Sequence, residues 1–231
     1  MKSKVLILDY SVDQFETPII KSFLNRNFDV EVTALHITNE ASFPDDLIEA
    51  DFTHVVHTGS TLSINDPSPF TKEAVNYIQD LVRKGTRQFG ICYGHQLMAL
   101  ALVGENAVRA TLKGMEAGWG EVEFNVLGQQ LLNLNPVERI WQHHFDEVTE
   151  LPEGSEIIAT NSHSLIQAYI NKEKRLLGTQ FHPEINLKQG NKYFLKDRKL
   201  LEKNGFDVDV MVERIPSFNT PKVFFEFFLN Q

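Results

Sequence analysis

The strongest constraint on this chain is an alternation between two hydrophobic periods in its first hundred residues. KVLILDY (4–10) and THVVHTG (53–59) are short runs rich in Val, Leu and Ile, closed by polar residues or glycine, and RQFGIC (87–92) follows as a further strand candidate. Runs of this kind read as strands buried on both faces. Between them, TPIIKSFLNRN carries Ile19, Ile20, Phe23 and Leu24 at helical spacing. PSPFTKEAVNYIQDLVRKG places Phe70, Ala74, Val75, Ile78, Leu81 and Val82 on one helical face. Ser68 is expected to cap that helix, Pro69 to occupy its first turn and Gly85 to end it. DVEVTAL (29–35) alternates and predicts a strand nearer an edge; HQLMALALVG returns to a helical pattern. Strand and helix alternating through short connections predict a parallel sheet covered on both faces.

From about 119 to 182 the pattern changes. WGEVEFNV, RIWQHHF, SEIIATN, LIQAYIN and LLGTQFH are short strand candidates separated by NP, PEG, NSHS and NKEKR turns. They predict a mostly antiparallel sheet joined to the parallel one. Residues 187–204 read as a charged surface helix, and 207–213 are ambiguous between alternation and a continued helix. Thr220 and Pro221 begin a last helix, KVFFEFFLN, whose Phe-rich face packs on the sheet in the plainer reading or serves an interface in the other. With 231 residues and no internal repeat, low-complexity tract or long linker, one domain over 1–231 is the simplest organisation.

A formal net charge of −9 argues against nucleic-acid or anionic-membrane partners, which need a clustered basic surface. The run LMALALV is too short to span a bilayer. Asp9 interrupts the first apolar run, which therefore reads as a first strand and not a signal peptide. A single cysteine fits a reducing compartment, and the cytoplasm is the expected location.

That cysteine, Cys92, lies in QFGICYGHQ, where a strand is expected to become a helix, with Gly90 and Gly94 two residues to either side. A side chain at the tip of such a turn adopts an uncommon backbone conformation, and glycines relieve the crowding around it. The sulfur then emerges at the carboxyl end of the sheet, where open α/β sheets bind ligands. The free N–H groups of the new helix favour negative charge there, and the Tyr93 N–H can stabilise an oxyanion on a carbonyl attacked by Cys92. A thiol nucleophile needs a base. His182 in LLGTQFHPEI follows an apolar strand, Pro183 stiffens the chain beyond it, and Glu184 can hold one ring nitrogen while the other faces the sulfur. A lone buried cysteine is ordinarily an apolar filler and a lone histidine ordinarily a satisfied one. The pairing of GxCxGxQ at a strand–helix junction with a strand ending in HPE outweighs those readings. The other histidines, including His54, His57 and His163, lack metal-ligand companions at convincing spacing; His57 lies close enough to the Gly59 loop to leave a site role open.

These residues resemble the class I (triad-type) glutamine amidotransferases, the glutaminase portion of GMP synthetase and stand-alone amidotransferase-like proteins in particular. HTGST, GICYGHQ, KGMEAGWGEV, IWQHHFDEV, LPEGSEIIATN, IQAYI and GTQFHPE match in order to about residue 186. GxCxGxQ and QFHPE are the specific motifs among them. The resemblance implies a three-layer, flavodoxin-like α/β fold with a mixed, mostly parallel open sheet and a smaller antiparallel part. It implies that Cys92 attacks the side-chain amide of glutamine to form a γ-glutamyl thioester and release ammonia. His182 would protonate the leaving group and then activate water, and Glu184 would support the imidazolium. The backbone N–H groups of Gly59 and Tyr93 would form the oxyanion hole. Gln96 and the segment around His143, Phe145 and Asp146 would receive the α-amino and α-carboxylate end of the substrate. No metal or organic cofactor is implied.

Two departures bear on this. The oxyanion loop reads Thr58-Gly59-Ser60 where many relatives have Gly-Gly-Pro, a change that need not remove a backbone donor. Phe145 stands where relatives of the GMP synthetase type have glycine, which bears on strict glutamine specificity. GxGxxG and P-loop patterns are absent from the sequence, and no synthetase domain is expected within residues 1–231. Three functions remain open: a glutaminase passing ammonia to a separate synthetase, a free-standing γ-glutamyl peptidase, and a non-catalytic module that binds a ligand or partner. Intact Cys92, His182 and Glu184 count against the third.

Overall fold

The computed structural model describes residues 2–38, 43–44 and 46–230. The first half alternates as expected: β1 (Ser3–Asp9), α1 (Glu16–Asn27), β2 (Val30–His36), β3 (His54–His57), α2 (Thr71–Lys84), β4 (Arg87–Ile91) and α3 (Tyr93–Leu102). A 3-10 turn (Glu105–Ala107) leads into β5 (Val108–Ala110), β6 (Glu116–Phe124), α4 (Val126–Leu132), β7 (Val137–His144), β8 (Asp146–Val148), β9 (Glu156–Thr160), β10 (Ala168–Asn171) and β11 (Leu176–Thr179). The strands β2, β1, β3, β4 and β11 pair in parallel. Antiparallel pairings extend the sheet from β11 through β10, β9 and β6 to β7. Both expected parts are therefore one nine-stranded mixed sheet, with β2 at an edge as its alternation implied. β5 and β8 form a separate small antiparallel ladder that the sequence pattern did not reveal.

The continuous apolar runs follow from burial on both faces. Leu6 and Leu8 of β1 pack with Ala74 and Ile78 of α2 and with Leu97 and Met98 of α3. Val5 and Ile7 of the same strand face the opposite layer, formed by Ile20 and Leu24 of α1 together with Phe224, Phe225 and Phe228. Those phenylalanines belong to α8 (Thr220–Asn230), so the Phe-rich helix is buried on the sheet's own face. Phe224 is fully buried, with its ring 5.4 Å from that of Phe181. Phe224→Ala is expected to cost about 3–5 kcal/mol, read as a lower urea midpoint with an unchanged slope.

Two sequence expectations change. α2 begins at Thr71, not Pro69, because the Thr71 N–H closes a tight turn onto the Ser68 carbonyl at 2.9 Å; Gly85 ends it at φ 73° as expected. The expected surface helix over 187–204 is two helices, α5 (Leu187–Lys196) and α6 (Arg198–Lys203), hinged at Asp197. The ambiguous segment is α7 (Val208–Glu213). Despite their charge, these helices form a third apolar cluster. Tyr193, Phe194, Leu201, Val208 and Met211 pack there with Trp119 and Trp141. Gly190 permits the approach, since a Cβ there would lie 2.6 Å from the Trp141 ring. The three helices cover the sheet's carboxyl end beside the site. No helix among the described residues is long and apolar enough to cross a membrane.

Candidate active site

Cys92 caps the end of β4 and opens α3 with φ 48° and ψ −103°, a conformation few L-residues adopt and one that costs about 1–3 kcal/mol. The surroundings hold it there. The Cys92 N–H donates to the Thr179 carbonyl at the end of β11, and the Gly94 N–H donates to the Thr58 carbonyl at the end of β3. Thr58 also accepts the Tyr10 N–H on its hydroxyl, tying the corner to β1. Both flanking glycines are required by close approach. A Cβ on Gly90 would lie 2.6 Å from the Gly94 carbonyl oxygen, and one on Gly94 would lie 2.7 Å from the His57 carbonyl carbon.

His182 follows the end of β11, its N–H held by the Trp141 carbonyl at 2.9 Å and its ring edge-on to the Trp141 indole. Nδ1 lies 2.7 Å from Glu184 Oε1, and the ring is close enough to Cys92 for the sulfur's charge to act on it. Burial opposes the imidazolium. The charges of Glu184 and Cys92, with the hydrogen bond the ring makes to Glu184, outweigh burial and hold the ring's pKa well above its ordinary value. Cys92 is 4% exposed, and its pocket of about 170 Å³ is walled by Ser60–Ser63, Gln96, His143–Asp146 and Leu200 of α6.

The fold gathers the substrate-end candidates on this pocket, with particulars the sequence did not reveal. Gln96 Nε2 donates to the Asp146 carbonyl at 3.0 Å and to Gln180 Oε1 at 3.1 Å. The Asp146 carboxylate accepts from Ser63 Oγ at 2.5 Å and Asn65 Nδ2 at 3.0 Å, so the loop following Gly59 is fastened to the start of β8. Phe145 is 45% exposed over the pocket, and its carbonyl accepts the Thr111 N–H. His143 stacks on Trp141, its carbonyl 3.9 Å from Cys92 Sγ. His57 is a buried brace between Tyr10 and Gln88 whose pKa burial lowers to about 4.

Tyr93 N–H opens α3 at the corner, one of the donors that a helix start leaves without an intrahelical partner. The Gly59 N–H departs from the expectation of an open donor. It is taken by Glu16, the first residue of α1, whose Oε2 accepts it at 2.6 Å. No motif marks Glu16, and only the fold brings it to the site.

Two groups of carboxylate and imidazole with metal-ligand potential converge among the described residues: Glu16, His182 and Glu184, and Glu116, His144 and His163. The first surrounds the His182 ring described above. In the second, sequence spacing showed no companion for His163, yet the β6–β7 register and the loop before β10 supply two. Glu116 there accepts from Asn161, Gln167 and His144, a charge-assisted network that keeps its carboxylate below its ordinary pKa against the effect of burial.

A strained cysteine, an imidazole and a carboxylate at the carboxyl end of a mixed sheet can perform thiol-based acyl transfer. The sequence profile described as glutamine amidotransferase class-I matches residues 6–200. The chain belongs to the class-I glutamine amidotransferase family. This amidotransferase is 32% identical over 137 residues to one subunit of the glutamine-hydrolysing GMP synthase from Sulfurisphaera tokodaii, covering 58% of this chain and 69% of the relative. It is 33% identical over 146 residues to the corresponding subunit from Sulfolobus acidocaldarius, covering 62% and 73%. Against GMP synthase of Mycobacterium marinum it is 40% identical over 102 residues, 44% of this chain but only 18% of that longer protein. A solved glutamine amidotransferase from Thermotoga maritima shares the fold at a TM-score of 0.77 and 21% identity, over 92% of this chain and 90% of that one. Membership of that family makes the chain an enzyme of the glutamine amidotransferase class.

Proposed function

We propose that this amidotransferase releases ammonia from glutamine through a γ-glutamyl thioester on Cys92 and delivers it to a separate synthetase partner. The observation that carries the reading is the buried His182 ring, bonded at Nδ1 to Glu184 at 2.7 Å and near enough to the Cys92 thiol for that group's charge to raise the ring's pKa. The sulfur attacks the side-chain amide carbon, and its proton passes by way of His182 to the departing nitrogen, which leaves as ammonia. Water then attacks the thioester, His182 takes its proton, the carbon–sulfur bond breaks, and the proton returns to sulfur as glutamate leaves. Tyr93 and Gly59 are the oxyanion donors in this reading, with Gly59 available once Glu16 releases it. Gln96 and Asp146 hold the α-carboxylate and α-amino groups. The α-end faces Ser63, Asn65 and Phe145, and no organic cofactor takes part.

The pocket size favours glutamine over γ-glutamyl peptides. About 170 Å³ suits one small amino acid, well below the ~300 Å³ at which pockets for larger ligands begin. A separate synthetase partner is favoured by the two archaeal relatives, which are themselves subunits of a GMP synthase. The cytoplasm suits a lone catalytic thiol, which stays reduced there. A panel of glutamine and γ-glutamyl dipeptides, read as glutamate formed, tests the assignment. Preference for glutamine is expected, and efficient turnover of dipeptides with no turnover of glutamine would replace it with the peptidase reading. Within this mechanism Glu184→Gln keeps nucleophile and base but loses charge support, so a smaller loss than for His182→Ala is expected, on the order of 10²-fold in kcat. A larger loss for Glu184→Gln than for His182→Ala would reverse the assigned roles.

A further inference from the structure

Glu16 is a buried carboxyl that makes no bond and moves no proton in the steps above. It is 7% exposed, and it starts α1 without capping that helix. Its side chain reaches instead to the Gly59 N–H at 2.6 Å, and its Oε1 lies 3.6 Å from His182 Nδ1, a nitrogen already bonded to Glu184. Lys196, on the same side of the molecule, is paired with Asp13 at 3.0 Å. The Gly59 backbone is squeezed between this carboxyl and the catalytic ring. A Cβ there would lie 2.5 Å from Glu16 Oε1 and 2.8 Å from His182 Cε1. One N–H has a single strong hydrogen-bonding direction, so it cannot serve Glu16 and a developing oxyanion together.

We infer that Glu16 is a positioning residue for the hydrolysis: its carboxyl withholds the Gly59 N–H from the substrate, and full turnover requires that hydrogen bond to be given up. The inference rests on the reading of Gly59 as an oxyanion donor. The charged and titratable groups facing Glu16 are Glu184 and His182 beyond β11, Asp9 at the end of β1, Asp13 and His143 across the small adjoining pocket, and Tyr193 of α5. Burial, then the Glu184 charge and more weakly Asp9, raise its pKa to about 8, against the pull of His182 and the Gly59 N–H. A protonated carboxyl accepts the N–H weakly and yields it to an oxyanion; an ionised one grips it and adds a repelling charge. Wild-type kcat therefore falls as pH rises through about 8.

The test compares wild type, Glu16→Gln and Glu16→Ala in steady-state glutamine hydrolysis from about pH 6 to 9.5, with thermal unfolding of each. Glu16→Ala frees the donor and is expected to raise kcat about tenfold with KM for glutamine little changed. Glu16→Gln keeps a neutral acceptor on Gly59, so its kcat stays near the low-pH wild-type value. Both variants lose the fall near pH 8, while any fall at higher pH from deprotonation of His182 is common to all three. An Ala variant with kcat equal to or below wild type, or a fall near pH 8 that persists in the Gln variant, overturns the inference. If Glu16→Ala fails to fold, the Gln profile alone decides. Absence of turnover and of any Cys92 adduct in wild type and both variants removes the thioester reading, and this inference with it. Adduct formation with identical profiles in all three removes the inference only.

Discussion

Cys92→Ala is expected to lower ammonia release from glutamine by ~10⁴-fold or more while leaving the fold intact. The chain holds no second thiol to substitute for it. The alanine keeps a Cβ at the same φ of 48°, so the strain of the corner is unchanged, and the anchoring bonds from Cys92 N–H to Thr179 and from Gly94 N–H to Thr58 are backbone bonds that survive. Only the sulfur is lost. The check is glutamate production alongside far-UV circular dichroism and thermal unfolding. Unchanged turnover in a folded variant would remove Cys92 from the mechanism.

His182→Ala is expected to be nearly as damaging to turnover and, unlike the cysteine variant, to destabilise the fold. Removing the ring strips Glu184 of its partner at 2.7 Å, and among the described residues Glu184 Oε2 already lacks one. Breaking a buried charged pair in this way costs on the order of 3 kcal/mol. The sign with pH follows from the raised pKa of His182. Its stabilising charge is fully present below the ordinary value of 6.5 and is lost as pH rises through the elevated folded value. The stability gap between wild type and His182→Ala should therefore be widest near pH ~6 and narrow toward alkaline pH, as measured by urea unfolding across that range. A gap that widens with pH would mean that the ring is neutral in the folded state. Rapid-quench kinetics should also show thioester formation and thioester hydrolysis both slowed, since one imidazole serves both steps.

Much of this site could be read from the sequence because its parts are local. The Cys92 corner needs Gly90 and Gly94 two residues away, and His182 and Glu184 are two residues apart on one rigid turn. Contacts between distant segments left no such trace. Glu16 reads as an ordinary residue at a helix start, and only the packing of α1 beside the Gly59 loop gives it a role. Ser63 and Asn65 lie in a polar loop whose composition is that of any surface turn, until the fold sets Asp146 opposite. The 187–204 segment is rich in lysine and arginine and so reads as surface. Its short apolar runs, Tyr193–Leu195 and Leu200–Leu201, are separated by the charges of KDRK, and nothing local marks Tyr193, Phe194 and Leu201 as the residues that pack with Trp119 and Trp141. In the fold, the strands were legible where burial on both faces makes a continuous apolar run. The three-residue strands β5 and β8 fell below that threshold.

The most direct measurement is the intact mass of the protein acid-quenched during turnover of glutamine. A gain of one γ-glutamyl group, mapped by peptide digestion to Cys92 and absent from Cys92→Ala, is the predicted result. Full glutamine turnover by the wild-type protein with no such species at any quench time would contradict covalent catalysis at this corner.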